Sequence, residues 1–147
     1  AQTYSISKIV QIPSGQSIKF VGVTNGAVTR FNPLAASSSV SPIIIELYEN
    51  PDITSLGTSI ESGVPLNRQS QQENLTIVYS NPTVPSSQTN PPIFVSEGFG
   101  TNQMGSVANS DRQFILKENT PYLYVIKNGS NQSATVAIEF TWKEIPK

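Results

Sequence analysis

The chain holds neither histidine nor cysteine in its 147 residues. That removes the usual general base near neutral pH, thiolate nucleophiles, disulfides and the common zinc ligands. What chemistry remains rests on ten carboxylates: Glu46, Glu49, Asp52, Glu61, Glu73, Glu97, Asp111, Glu118, Glu139 and Glu144. Carboxylate catalysis needs a pair held across a cleft. These acids are scattered, and no spacing selects a pair, so the chain reads as a non-enzyme. Glu46, Glu61 and Glu97 are the positions at which a hydrolase would be tested. Glu46 falls beside Ile44 and Tyr48 on its strand and is expected to be partly buried. Calcium needs a dense set of oxygens. Glu49-Asn50-Pro51-Asp52 is the only local candidate, and an exposed turn explains it better. Gly98 to Gly105 is glycine-rich but lacks the lysine and the strand-to-helix setting of a phosphate loop. No catalytic residue, cofactor or metal is expected.

Binding surfaces are the alternative to chemistry. Tyr79, Tyr122, Tyr124 and Trp142 would suit a sugar-stacking platform, but three of them share strands with apolar residues, which favours packing. Phe94, Phe99 and Met104 sit in or beside loops, where exposure would make a docking surface. Burial under the loop is the competing reading, and the sequence does not separate the two. Asn67 and Arg68 lie in the polar stretch 66–73 and are interface candidates, because a guanidinium forks onto carboxylates or carbonyls. An exposed, unpaired Arg68 fits equally well.

The elements that must position these residues are strands. From Ala134 to Trp142 the residues alternate: Ala134, Val136, Ile138, Phe140 and Trp142 on one face, with Thr135, Glu139 and Thr141 on the other. A period of two means a strand with one buried and one wet face. Tyr122 to Ile126 is apolar on both faces, as in a central strand. Asn128-Gly129-Ser130-Asn131 joins the two with a start that suits positive φ, and the pair is expected to form the spine of a sheet. Further strands are expected over Thr3–Ile12, Ser17–Thr24, Ala27–Phe31, Pro42–Tyr48, Thr58–Val64, Asn74–Ser80, Ile93–Ser96 and Phe114–Leu116. Asn25-Gly26 is the strongest hairpin signal. Leu34–Ser41, Leu66–Glu73, Pro82–Pro92 and Gly98–Ser110 read as loops. No window carries helical periodicity. Tyr48-Glu49-Asn50-Pro51 is echoed 31 residues later by Tyr79-Ser80-Asn81-Pro82, best read as two similar strand ends. The expectation is one all-β domain over 1–147, a two-sheet antiparallel sandwich of jelly-roll type with eight or nine strands. Residues 1–7 are either an arm reaching a neighbour or an edge strand.

Composition narrows the partners. Only 13% of residues are charged, the net charge is −1 and Lys and Arg form no cluster in the sequence, so no nucleic-acid partner is expected. No apolar run is long enough for a membrane helix. The chain opens Ala-Gln-Thr-Tyr, without a basic start and apolar run, so an initiator Met removed before Ala1 is expected. Ser, Thr, Asn and Gln together supply 54 residues, so neutral hydrogen-bonding groups must cover the surface. Such a surface is little affected by salt or pH.

Several motifs together resemble a known group. They are Tyr48-Glu49-Asn50-Pro51 with Gly57-Thr58, then Leu66-Asn67-Arg68, then Leu75-Thr76-Ile77-Val78-Tyr79-Ser80-Asn81-Pro82-Thr83. The end carries Phe114 to Leu123, Lys127-Asn128-Gly129-Ser130 and Phe140-Thr141-Trp142-Lys143-Glu144. Over about Pro42 to Glu144 their order resembles small all-β head decoration, cement or minor structural proteins of tailed bacteriophages. Pro85-Ser86-Ser87-Gln88-Thr89 departs from that group's second turn, which carries a glycine before the threonine. The resemblance implies a homotrimer on the outer surface of a virion capsid, made in the host cytoplasm, with the major capsid protein as its partner. A glycan-binding or host-adhesion module is the other reading that the composition allows.

Overall fold

The computed structural model describes residues 2–33, 36–40, 42–61, 63–70, 73–98 and 113–146. Twelve strands occur among them, in chain order β1 (Gln2–Ile12), β2 (Ser17–Val23), β3 (Ala27–Phe31), β4 (Ala36–Ser38), β5 (Ile43–Glu49) and β6 (Ser59–Glu61). There follow β7 (Val64–Pro65), β8 (Ile77–Ser80), β9 (Phe94–Gly98), β10 (Phe114–Leu116), β11 (Pro121–Asn128) and β12 (Ala134–Pro146). They form two antiparallel sheets. One has the order β10-β3-β12-β1-β7, with β4 also on β12, and the other β6-β8-β2-β11-β5-β9. Eight strands, β1, β12, β3, β10 facing β2, β11, β5, β9, follow jelly-roll connectivity. The segment between β5 and β9 adds β7 to one sheet and β8 and β6 to the other.

No strand here pairs with the next one in the chain. This corrects two expectations. β11 and β12 lie in opposite sheets, and Asn128–Asn131 carries the chain between layers instead of closing a hairpin. Gly129 needs no positive φ; the described glycines that do are Gly15, Gly26 and Gly57. Asn25-Gly26 likewise crosses from β2 in one sheet to β3 in the other, although Gly26 does take φ +70°. An Asn-Gly pair supplies the bend, and the apolar faces on either side decide which layer the next strand joins. Of the two readings left open for residues 1–7, Gln2–Ser7 take the form of a strand. These residues pair in register with β12, from Gln2 opposite Glu144 to Ser7 opposite Glu139. The stretch 34–41, read as a loop, contains the short strand β4.

The inward face of β12 is buried as its alternation requires, with Ala134, Val136, Ile138, Phe140 and Trp142 all at 5% exposure or less. Facing side chains come from Ile43, Ile45 and Leu47 of β5, and from Tyr122, Tyr124 and Ile126 of β11. Each full burial contributes about 2 kcal/mol. Phe140 sits at the aromatic centre, edge-on to Phe20 at 4.9 Å and to Tyr124 at 5.0 Å between ring centroids. Leu116 is half-buried against it.

β11 is buried on its other face as well. Leu123 and Val125, with Val21 of β2, form a second cluster outside the sandwich, covered by Ile53 and Val84. Ile53 and Val84 stand 31 residues apart, the offset of the Tyr-x-Asn-Pro echo. Asn50 and Asn81 both take positive φ, 50° and 56°, and turn each strand's tail over the sheet. The tails meet antiparallel at Ser55 and Thr83. The flanking tyrosines share one cross-strand row, Tyr48, Leu123, Val21, Tyr79. The two similar strand ends are therefore a symmetric clamp on a central strand.

The stretch 74–80 alternates in burial, with its more apolar residues outward. Thr76, Val78 and Ser80 face inward and are buried, while Leu75 is exposed and Ile77 and Tyr79 are half-buried. The polar atoms of Thr76 have partners inside, described below.

Two glycines give opposite expectations. Gly22 faces the interior with open space where a Cβ would stand, whereas a Cβ at Gly57 would overlap the Ser80 carbonyl oxygen at φ +146°. Gly22→Ala should raise unfolding free energy by about 0.5 kcal/mol. Gly57→Ala should lower it by about 2 kcal/mol or more. Urea melts of both variants check the contrast.

Candidate functional site

Glu144 is the one acid buried at the residue level among the described residues, at 3% exposure. Its place on β12 points it inward beside Trp142, where the chain approaching β8 passes. Its carboxylate accepts from Leu75 N at 2.8 Å and 3.1 Å, from Thr76 N at 2.9 Å and from Trp142 Nε1 at 2.8 Å. No described ion pair includes it. Three N–H groups thus hold a buried carboxylate without a cation. The Thr76 hydroxyl shares a 3.0 Å hydrogen bond with Thr29 of β3. Asn74 Nδ2 donates to Thr76 O at 2.6 Å. Gly63 lies against this corner, where a Cβ would come within 2.9 Å of Trp142 Cη2. Beside it lies an apolar cavity of about 50 Å³, bordered by Gly22, Thr29, Thr76, Val78 and Trp142 among others. That volume suits no substrate of ordinary size.

Four other acids, Glu46, Glu49, Asp52 and Glu61, are engaged nearer the surface. Glu46 meets Lys127 Nζ at 2.9 Å and Tyr48 OH at 3.1 Å. Its side chain is 14% exposed, as its strand position suggested. Glu61 pairs with Lys8. Glu49 accepts from Tyr122 OH at 2.9 Å and meets Lys117 Nζ at 3.2 Å. Glu97 shares the outer face with Glu46, one pair further along β5, opposite Ile44. Asp52 bridges the clamp by accepting from Thr89 N at 2.8 Å. The Thr89 backbone and side-chain donors hold its carboxyl below the usual range. Among the described residues no group of three or more potential ligands could hold a metal ion.

The expected site residues separate. Phe94 is 6% exposed and edge-on to Phe114 at 6.0 Å between ring centroids. It is a core residue, which corrects its place as an exposed docking candidate: it falls on the inward register of β9, opposite Leu47. Phe99 and Met104 lie outside the described residues. Asn67 and Arg68 form an exposed turn just after β7. Asn67 Oδ1 accepts from Gln69 N at 3.2 Å, and Arg68 Nη1 donates to Pro65 O at 3.4 Å. Val64 and Leu66 beside them are 47% and 57% exposed. The aromatic platform does not form, since Tyr122, Tyr124 and Trp142 are buried and Tyr79 is half-buried. Glu144 was missed as a special residue. The only sequence signal was its even-numbered place on the buried side of β12.

Burial pushes the Tyr122 hydroxyl up to about 12; donation from Lys117 N opposes the shift and Glu49 adds to it. Burial also raises Tyr124, whose hydroxyl donates to Pro33 O. Burial and then Glu144 raise Tyr4, which donates to Glu73 O at 3.2 Å.

No protein-family model matches the chain, and no curated protein matches it.

Two predictions follow from this geometry. Glu144→Gln sets a carboxamide NH2 against the Leu75 N–H where an acceptor oxygen stood and should cost about 2 kcal/mol, read by chemical unfolding with the single tryptophan as reporter. Tyr122 keeps its proton in the folded chain while the unfolded chain loses it near the ordinary value of 10.0. Stability should therefore hold below pH 10 and fall as pH rises toward about 12. Unfolding melts across that range check it, and a flat profile contradicts it.

Proposed function

We propose that the chain is a non-enzymatic virion structural protein that decorates and stabilises the outside of a bacteriophage capsid as a homotrimer. The observation that carries this reading is the motif order from Tyr48 to Glu144, which resembles phage head decoration and cement proteins. Those motifs bind one another in this fold. Glu49 of the first holds Tyr122 of the fourth and approaches Lys117. Leu75 and Thr76 of the third donate to Glu144 of the last. Asn50, Asn81 and Asn119 each take the left-handed conformation at a turn. The resemblance therefore rests on residues that build the fold together.

The surface supports the same reading. Ser, Thr, Asn and Gln supply 54 of the chain's residues, and Glu46, Glu49, Asp52, Glu61 and Glu144 are engaged by lysines, tyrosines or backbone amides. A protein that must only hold a shell together gains from many weak contacts made at once. Three copies on a three-fold position multiply each contact without requiring a strong one. The exposed turn of Asn67 and Arg68, with Val64 and Leu66 beside it, is the contact region this reading assigns. The glycan-binding alternative loses its support where Tyr122, Tyr124 and Trp142 are buried.

Light scattering with mass determination should give three times 15.9 kDa. Adding the protein to undecorated capsids should raise the temperature at which they open, and Arg68→Glu with Leu66→Asp should reduce that gain. A monomer that leaves capsid stability unchanged overturns the reading.

A further inference from the structure

The sequence contains two Asn-Gly pairs, Asn25-Gly26 and Asn128-Gly129. The fold places them in opposite environments. Asn25 and Gly26 are both exposed, at the crossing from β2 to β3. A Cβ at Gly26 would meet nothing within 4 Å, so the space around the turn is open. The residues on either side are fixed. Thr24 is buried, donates to Lys117 O at 2.5 Å and accepts from Thr120 N at 3.1 Å, and Ala27 is buried. Among the described residues no hydrogen bond holds the Asn25 carboxamide.

Asn128 is 1% exposed. Its Nδ2 donates to Ile12 O at 2.9 Å and to Gln132 O at 2.7 Å. Its Oδ1 accepts from Ser130 N at 2.9 Å and Ser130 Oγ at 2.7 Å. Gly129 N is itself committed to Pro42 O at 3.0 Å.

We propose that Asn25 is a site of spontaneous deamidation in the folded protein, and that the fold protects Asn128 from the same reaction. The Gly26 nitrogen, unshielded because glycine has no Cβ, attacks Asn25 Cγ. The new N–C bond forms as the Cγ–Nδ2 bond breaks, and Nδ2 leaves as ammonia. The proton that the leaving nitrogen takes up balances the one lost from the Gly26 amide. Water then opens the five-membered ring at either carbonyl, giving aspartate or isoaspartate. No oxidant, reductant or cofactor is needed. At Asn128 the attacking nitrogen and the carboxamide are both held by other partners, so the ring cannot close without local unfolding. The product carries one more negative charge, taking the formal net charge from −1 to −2. The isoaspartate form also lengthens the backbone between the two sheets. This modification is independent of the capsid role.

The test keeps the native protein in mildly alkaline buffer and follows both peptides by mass spectrometry with separation of isoaspartyl forms. The Asn25 peptide should convert at least about 100-fold faster than the Asn128 peptide, which must first break its hydrogen bonds. In denaturant the two rates should converge. Asn25→Gln should remove the acidic species from the native sample. Equal native rates, faster conversion at Asn128, or an Asn25 that stays intact after the denatured Asn128 has converted each overturn the proposal.

Discussion

The structure depends on one constraint: β11 is buried on both faces. Its inward side chains, Tyr122, Tyr124 and Ile126, meet β12 across the sandwich. Its outward ones, Leu123 and Val125, would face water in a bare two-layer fold. Two buried aliphatic side chains represent about 4 kcal/mol, a large share of a marginal stability. The segment between β5 and β9 supplies the cover. Ile53 and Val84 come down on Leu123 and Val125, and Asp52 with Gln88 and Thr89 ties the two tails together. The same segment then supplies β7 and β8 and presents Leu75 and Thr76 to Glu144. The insertion is thus part of the core.

Glu144 is the complementary device at the other layer. A buried carboxylate without a cation is costly unless its oxygens are met by donors. Three N–H groups meet them here. Because two of those donors belong to the insertion, the bonds join the last strand to the approach of β8, 68 residues earlier in the sequence. These directional bonds add a fixed point to the register that the apolar pattern sets.

The sequence made the strands legible, and the layers less so. The alternation from Ala134 to Trp142 and the double apolar face of Tyr122–Ile126 translate directly into burial. Asn25-Gly26 and Asn128-Gly129 signalled turns correctly but implied hairpins. A turn dipeptide reports local φ, whereas the choice of sheet is made by distant apolar faces. The inward face of β8 is not legible in the sequence, because Thr76 and Ser80 look like solvent residues until Glu144 and Thr29 are placed beside Thr76. Phe94 illustrates the converse: beside a loop in sequence, it falls on the inward register of an edge strand. Asn67 and Arg68 were legible as surface because the stretch 67–73 is wholly polar.

A domain closed in this way leaves a neutral exterior with few titrating groups, suited to many simultaneous weak contacts on a repeated shell. Electron cryomicroscopy of capsids to which the protein has been added tests the proposed decorating role most directly. That role predicts three copies clustered about three-fold positions on the outer capsid surface, with the turn of Asn67 and Arg68 at a contact. A shell with no such density, or the chain found as a single copy elsewhere on the particle, would contradict it.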